Sequence, residues 1–147
     1  MSVVWVNYDA FKKRLNQRLT TNVKKNAIKA VTRGASVVQE VAVKSITGGN
    51  KSGVTRTLYN PSRTHTSSAQ GEAPASDTGF LVSNINTKIK TFGNTVVGQV
   101  RSEAPYSKAL EFGTTKIMAR PFLQPALTKS KRKIKTIFKS QGLIKWA

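Results

Sequence analysis

From Asp9 onward the apolar or small positions Phe11, Leu15, Leu19, Val23, Ala27, Ala30, Val31, Gly34, Val38 and Val41 recur at steps of three and four. That spacing marks one face of an α-helix, held for about ten turns. Asn7 or Asp9 is placed to cap its start and Gly48–Gly49 to stop it, which predicts a helix over residues 9–46. At about 1.5 Å per residue such a helix runs on the order of 55 Å, longer than a domain of this size can cover. Its far end must meet another subunit, bend or stand in solvent. Arg33–Gly34 is the expected bend, because glycine in a helix interior costs about 1 kcal/mol relative to alanine.

After the glycine pair the periodicity lapses. Residues 47–78 are rich in Gly, Ser, Thr and Asn and read as an extended loop, either disordered alone or ordered by contact with a partner. Residues 81–101 then alternate with a period of two. Ile85, Thr87, Ile89 and Thr91 share one face, Lys88 and Lys90 the other, and after Gly93–Asn94 the alternation resumes with Val96, Gly98 and Val100. This predicts a β-hairpin whose apolar face must pack on the long helix, since an isolated hairpin is marginal. A short helix over 105–112 follows, stopped by Gly113, and then a C-terminal helix over 121–140 opened by Pro121. The period changes from about 3.6 to 2 and back, which gives an α+β fold: a long N-terminal helix and a C-terminal helix on a small antiparallel sheet, in one domain of 147 residues.

Charge narrows the class of partner. The chain carries 25 Lys and Arg against 6 Asp and Glu, a formal net charge of +19. Residues 9–46 hold nine bases and two acids, and residues 128–147 seven bases and no acid, so the excess is concentrated on the two helices. Such a chain repels its own copies unless something anionic lies close, and nucleic acid is the commonest such partner. Lys129, Lys131, Arg132, Lys133 and Lys135 form the predicted polar face of the last helix and are the candidate phosphate contacts. No finger, helix-turn-helix or stacking aromatic row accompanies them, so any contact is expected to be with the backbone alone. With 38% hydrophobic and 7% aromatic residues the core is scant, and part of the stability is expected to come from neighbours. There is no cysteine, and no apolar run approaches the roughly 20 residues needed to span a bilayer, so neither disulfides nor a membrane partner is expected.

Catalytic chemistry is hard to assemble from these residues. His65 is the only histidine and has no second metal ligand nearby in sequence. Asp77 and Thr78, before Gly79, read as caps of a short turn leading into the hairpin. Glu111, between Leu110 and Phe112, has no histidine, cysteine or second acid beside it to make a general base. The expected role is a buried ion pair with Arg120 that fixes the loop between the two last helices. No enzyme activity, metal or cofactor is expected.

Two ordered segments carry a resemblance. Residues 71–85 read GEAPASDTGFLVSNI and residues 104–127 read APYSKALEFGTTKIMARPFLQPAL. A proline followed by Asp77-Thr78-Gly79, an x-Leu-x-x-Ser-Ile-like continuation, then Glu111-Phe112-Gly113 and Arg120-Pro121-Phe122, together resemble the small neck or tail-completion proteins of long-tailed double-stranded DNA phages. The resemblance covers Glu72 to Leu127 well and the first helix only by type. Asn84, Lys108 and Ala109 depart from the pattern. It implies a tail-terminator-like fold and a virion structural protein, made in the host cytoplasm. It also implies a homo-oligomeric ring, a hexamer, that joins portal and tail, touches adjacent neck and tail proteins and surrounds double-stranded DNA in a channel. Two other readings stay open: a tail terminator capping the tail tube, and a free, sequence-independent nucleic-acid-binding protein.

Overall fold

A computed structural model describes residues 8–49, 51–59 and 62–143. The chain runs α1 (Tyr8–Thr47), β1 (Thr55–Tyr59), β2 (Ser62–Thr66), α2 (Phe80–Ser83), β3 (Ile85–Phe92), β4 (Thr95–Ser102), α3 (Ser107–Phe112) and α4 (Leu123–Ser140). Two separate antiparallel pairs, β1–β2 and β3–β4, make up its sheets. This is the α+β build that the change of period predicts, with two long helices against a small sheet.

The core forms where α1, α2, β3 and α4 converge. Val38, Ala42 and Ile46 of α1 meet Leu81, Ile85, Ala104, Phe122 and Ala126, and Leu110 and Ile134 pack around them. Helix α4 lies antiparallel to α1: its first turn shares the core with Ala42 and Ile46, while Ile134 and Phe138 lie beside Gly34. The β3–β4 hairpin packs on the same stretch of α1, as its apolar face requires. Gly98 of β4 comes so close that a Cβ there would lie 2.7 Å from Val31 Cγ1. Gln39 Nε2 donates to the Ile85 carbonyl at 2.7 Å and ties helix to strand at the other end.

Helix α1 continues through Gly34 as a single helix, Tyr8–Thr47. A Cβ at Gly34 would sit 3.7 Å from Ile134 and 3.9 Å from Phe138, ordinary contact distances. Gly34→Ala should therefore stabilise the protein by about 0.5–1 kcal/mol through helix propensity alone. A rise in the urea midpoint at unchanged slope checks this.

Several boundaries differ from those read off the sequence, among them the start of α3, at Ser107 rather than 105. The segment 47–78 is not a plain loop, because Thr55–Tyr59 pairs with Ser62–Thr66 in register Thr55↔Thr66 to Tyr59↔Ser62. Apart from Leu58 and Tyr59 the residues there are Thr, Arg, Ser and His, so the strand period shows little apolar contrast, and no position of either strand is buried. The hairpin after it begins at Ile85 rather than 81 and ends at Ser102 rather than 101. Gly79, with φ 77°, turns the chain into a helical turn that buries Leu81 before the strand starts. Finally, α4 begins at Leu123, with Phe122 as its capping residue, and Pro121 stands outside it.

Candidate functional site

The start of α4 explains what Glu111 does. A helix leaves its first N–H groups without partners, and Phe122 offers no side-chain oxygen to meet them. Glu111 reaches across from α3 instead. Its Oε2 accepts from the N–H of Phe122 at 2.8 Å and of Leu123 at 3.0 Å, and its Oε1 accepts from Gln124 at 2.8 Å. The next residue is Pro125, which has no N–H. One carboxylate thus satisfies every available donor of the helix start, with its charge at the positive end of the helix dipole.

This corrects the expected Glu111–Arg120 ion pair: among the described residues the two make no salt bridge. The carboxylate is occupied by backbone donors, which a two-atom acceptor placed at a helix start meets at lower desolvation cost than a guanidinium. Arg120 is held by its backbone, its N–H donating to the Leu110 carbonyl at 2.6 Å, while its Nε is buried without a partner. Gly113 closes α3 with φ 75°, and a Cβ there would lie 3.0 Å from Ala119 N and Ile117 O. Phe112, Gly113, Arg120, Pro121 and Phe122 are thus brought together around one loop. Phe122 is buried, 1% exposed, whereas Phe112 is 75% exposed.

Asp77, Thr78 and Gly79 line a small cleft that Leu110 and Arg120 also border. Gly79, not Asp77 or Thr78, is the N-cap of α2, which has no side-chain cap bond; Thr78 Oγ1 accepts only a long bond of 3.4 Å from the Phe80 N–H. Asp77 does different work: its Oδ1 meets Arg63 at 2.5 Å and anchors the β1–β2 hairpin to the body. A clasp at the hairpin's base escaped sequence reading. Glu72 accepts from the Ser52 hydroxyl at 2.5 Å, the Ser52 N–H at 3.2 Å and the Ala69 N–H at 2.9 Å, and these bonds bring its pKa down from 4.5 to about 2. Lys51 Nζ beside it donates to the carbonyls of Ser45 and Ala73, both at 2.9 Å. Since the folded pKa of Glu72 is depressed, its contribution is fully present above about 4.5 and is lost as pH falls through about 2. Amide exchange at Ser52 and Ala69 should accelerate across that window beyond the chemical trend, and Glu72→Gln should abolish the extra pH dependence.

Two surfaces remain. An open groove of ≈970 Å³ runs between α1, β4, α3 and α4, with Val31, Val97, Phe112, Leu123, Leu127 and Phe138 among its walls. It is mostly apolar, and Leu127 in it is 46% exposed. The second surface is the outer side of α4, where Lys129, Lys131, Arg132, Lys133 and Lys135 are all exposed. They do not share one outlook. Lys133 faces α1 closely enough to join Lys44 in holding the Glu40 carboxyl below its ordinary pKa. Partial burial, then the like charge of Lys135 one turn earlier, holds the Lys139 ammonium below its usual value. His65 borders a small cleft near Arg120, and among the described residues no group of three or more His, Asp or Glu is arranged to hold a metal ion. No helix among them is long and apolar enough to cross a membrane.

A family model described as "Bacteriophage HK97-gp10, putative tail-component" matches residues 9–113. The chain belongs to this phage tail-component family. No curated protein and no solved structure matches it at a significant level. The match spans α1 through the end of α3 at Gly113, so it takes in the Asp77-Thr78-Gly79 turn and Glu111, while α4 and its basic face lie beyond it. Membership assigns the chain a structural tail role and a place in the virion among other tail proteins.

Proposed function

We propose that the chain is a ring-forming subunit of the head-to-tail junction, a neck or tail-completion protein that joins the portal side of the particle to the tail by assembly and not by catalysis. The observation that carries this reading is the apolar groove between α1, β4, α3 and α4, open to solvent beside exposed Phe112 and Leu127 in a chain with a small core. An open apolar groove flanked by exposed Phe112 and Leu127 suits a subunit contact. The β3–β4 pair leaves the outer edge of β4 unpaired beside it. A heterologous contact using such a face, repeated by rotation, closes into a ring, and six copies would match the symmetry expected of a phage tail. The channel of that ring would surround double-stranded DNA. A reconstruction of the particle tests the reading: density for this chain as a closed ring between portal and tail tube supports it. A position at the far end of the neck, capping the tube, would make it a tail terminator instead.

The basic outer side of α4 favours contact with phosphates in addition. The purified protein should bind double-stranded DNA without base preference, and affinity should fall steeply with salt. Changing Lys129, Lys131, Arg132, Lys133 and Lys135 together to glutamine should flatten the plot of log affinity against log salt by roughly 0.9 for each phosphate that is no longer neutralised. All five side chains are exposed, so the fold should survive. If the variant binds DNA as before but fails to join particles, the basic face meets an acidic protein.

A further inference from the structure

Helix α4 stops before α1 does. Because the two are antiparallel, α4 covers α1 from its C-terminal end to about Ala30, which is fully buried, and every residue from Lys12 to Lys25 is exposed. This overhang is about 20 Å of helix with nothing among the described residues packed on it. It is not featureless. Leu15, Leu19 and Val23, 44%, 54% and 56% exposed, follow one another at four-residue steps and lead through Ala27 into the buried Ala30. The ridge that packs against α4 therefore continues beyond it, in the spacing that one helix uses to seat another.

The charge around this ridge restricts what covers it. Residues 10–39 contain eight Lys and Arg and no Asp or Glu. Six of them, Lys12, Lys13, Arg14, Arg18, Lys24 and Lys25, lie on the overhang, so a second copy of it would set six cations against six. A nucleic-acid backbone would satisfy the cations and leave the apolar ridge wet. We propose that the α1 overhang docks an acidic amphipathic helix of a different protein, which lies on the Leu15–Leu19–Val23 ridge in line with α4 and pairs its carboxylates with Lys12, Arg18 and Lys25. The inference rests on the assembly reading above for the setting in which that partner is met.

The chain has no cysteine or other feature that complicates a single-site probe. A photo-reactive benzoylphenylalanine placed at position 19 in infected cells, followed by purification of particles and mass spectrometry of the products, identifies the neighbour. A cross-link to an acid-rich helical segment of another virion protein supports the proposal. Cross-links to a second copy, to residues 144–147 of the same chain, to DNA, or to nothing while the chain is present in particles overturn it. Absence of the chain from particles overturns the assembly reading instead. In solution, a synthetic helical peptide with a leucine ridge and glutamate flanks should bind the full chain. Leu15→Ser, Leu19→Ser and Val23→Ser combined should weaken binding by about tenfold or more without altering the fold, since all three positions lie outside the core. Raising the salt should weaken it too, and the same peptide with lysine for glutamate should not bind. Equal binding of the two peptides, or no effect of the triple change, counts against the docking site.

Discussion

Phe122→Ala is expected to lower the stability of the isolated subunit by about 3–5 kcal/mol, the largest effect of any single truncation among the described residues. Among the described residues Phe122 is the largest of the fully buried side chains, and it sits where α4, α1 and the Ile85 end of the hairpin converge. Its loss leaves a cavity that three elements would have to collapse into, and close-packed elements relax only in part. Stability of a domain is typically about 5–15 kcal/mol, so the variant should be near the edge of folding. Urea unfolding followed by circular dichroism should show a midpoint far below the parent at similar slope. Phe112→Ala makes the control. That ring is 75% exposed, so the change should leave the free subunit within about 0.5 kcal/mol of the parent, and it should weaken assembly if the groove is a subunit contact.

Glu111→Ala should follow, at about 2–4 kcal/mol. Three backbone N–H groups lose their acceptor at once, and hydrogen bonds to a charged group contribute about 1.5–3 kcal/mol each, with water recovering part of the loss at the exposed Gln124 end. Glu111→Gln should fall between the two, because an amide keeps one acceptor oxygen and gives up the charge at the helix dipole. Arg120→Ala separates this account from an ion pair. If Glu111 relied on Arg120, the two single losses would be similar and strongly coupled. With Glu111 bound to the α4 backbone instead, Arg120→Ala should cost clearly less, and a double-mutant cycle between them should show coupling of less than about 0.5 kcal/mol.

Much of the architecture is legible in the sequence. Helix α1, helix α4 and the β3–β4 hairpin each carry an apolar repeat that specifies the element, although in α1 the repeat runs on through Leu15, Leu19 and Val23, which stay exposed. The tail-component family is legible in the two segments around Asp77 and Glu111. What escapes reading has a common cause. The β1–β2 hairpin alternates Thr with Arg and Ser, so its pairing rests on backbone bonds, a hydroxyl pair and the Arg63–Asp77 anchor, none of which leaves an apolar signature.

The role of Glu111 belongs to the same class. Sequence determined that a lone carboxylate lies between two apolar residues and must find a positive partner, and Arg120 stood out as the cation across the loop. Which partner it meets depends on where α4 starts relative to α3, and only the packing of Phe122 into the core decides that, placing three N–H groups where the guanidinium was expected. Gly34 shows the converse. A glycine in a long helix reads as a weak point, but Ile134 and Phe138 supply tertiary support beside it, and the helix stays whole. Local pattern determined the elements because hydrophobic period is a property of neighbouring residues. Tertiary structure decided the caps, anchors and open faces, because those depend on groups distant in sequence and on what each element leaves uncovered.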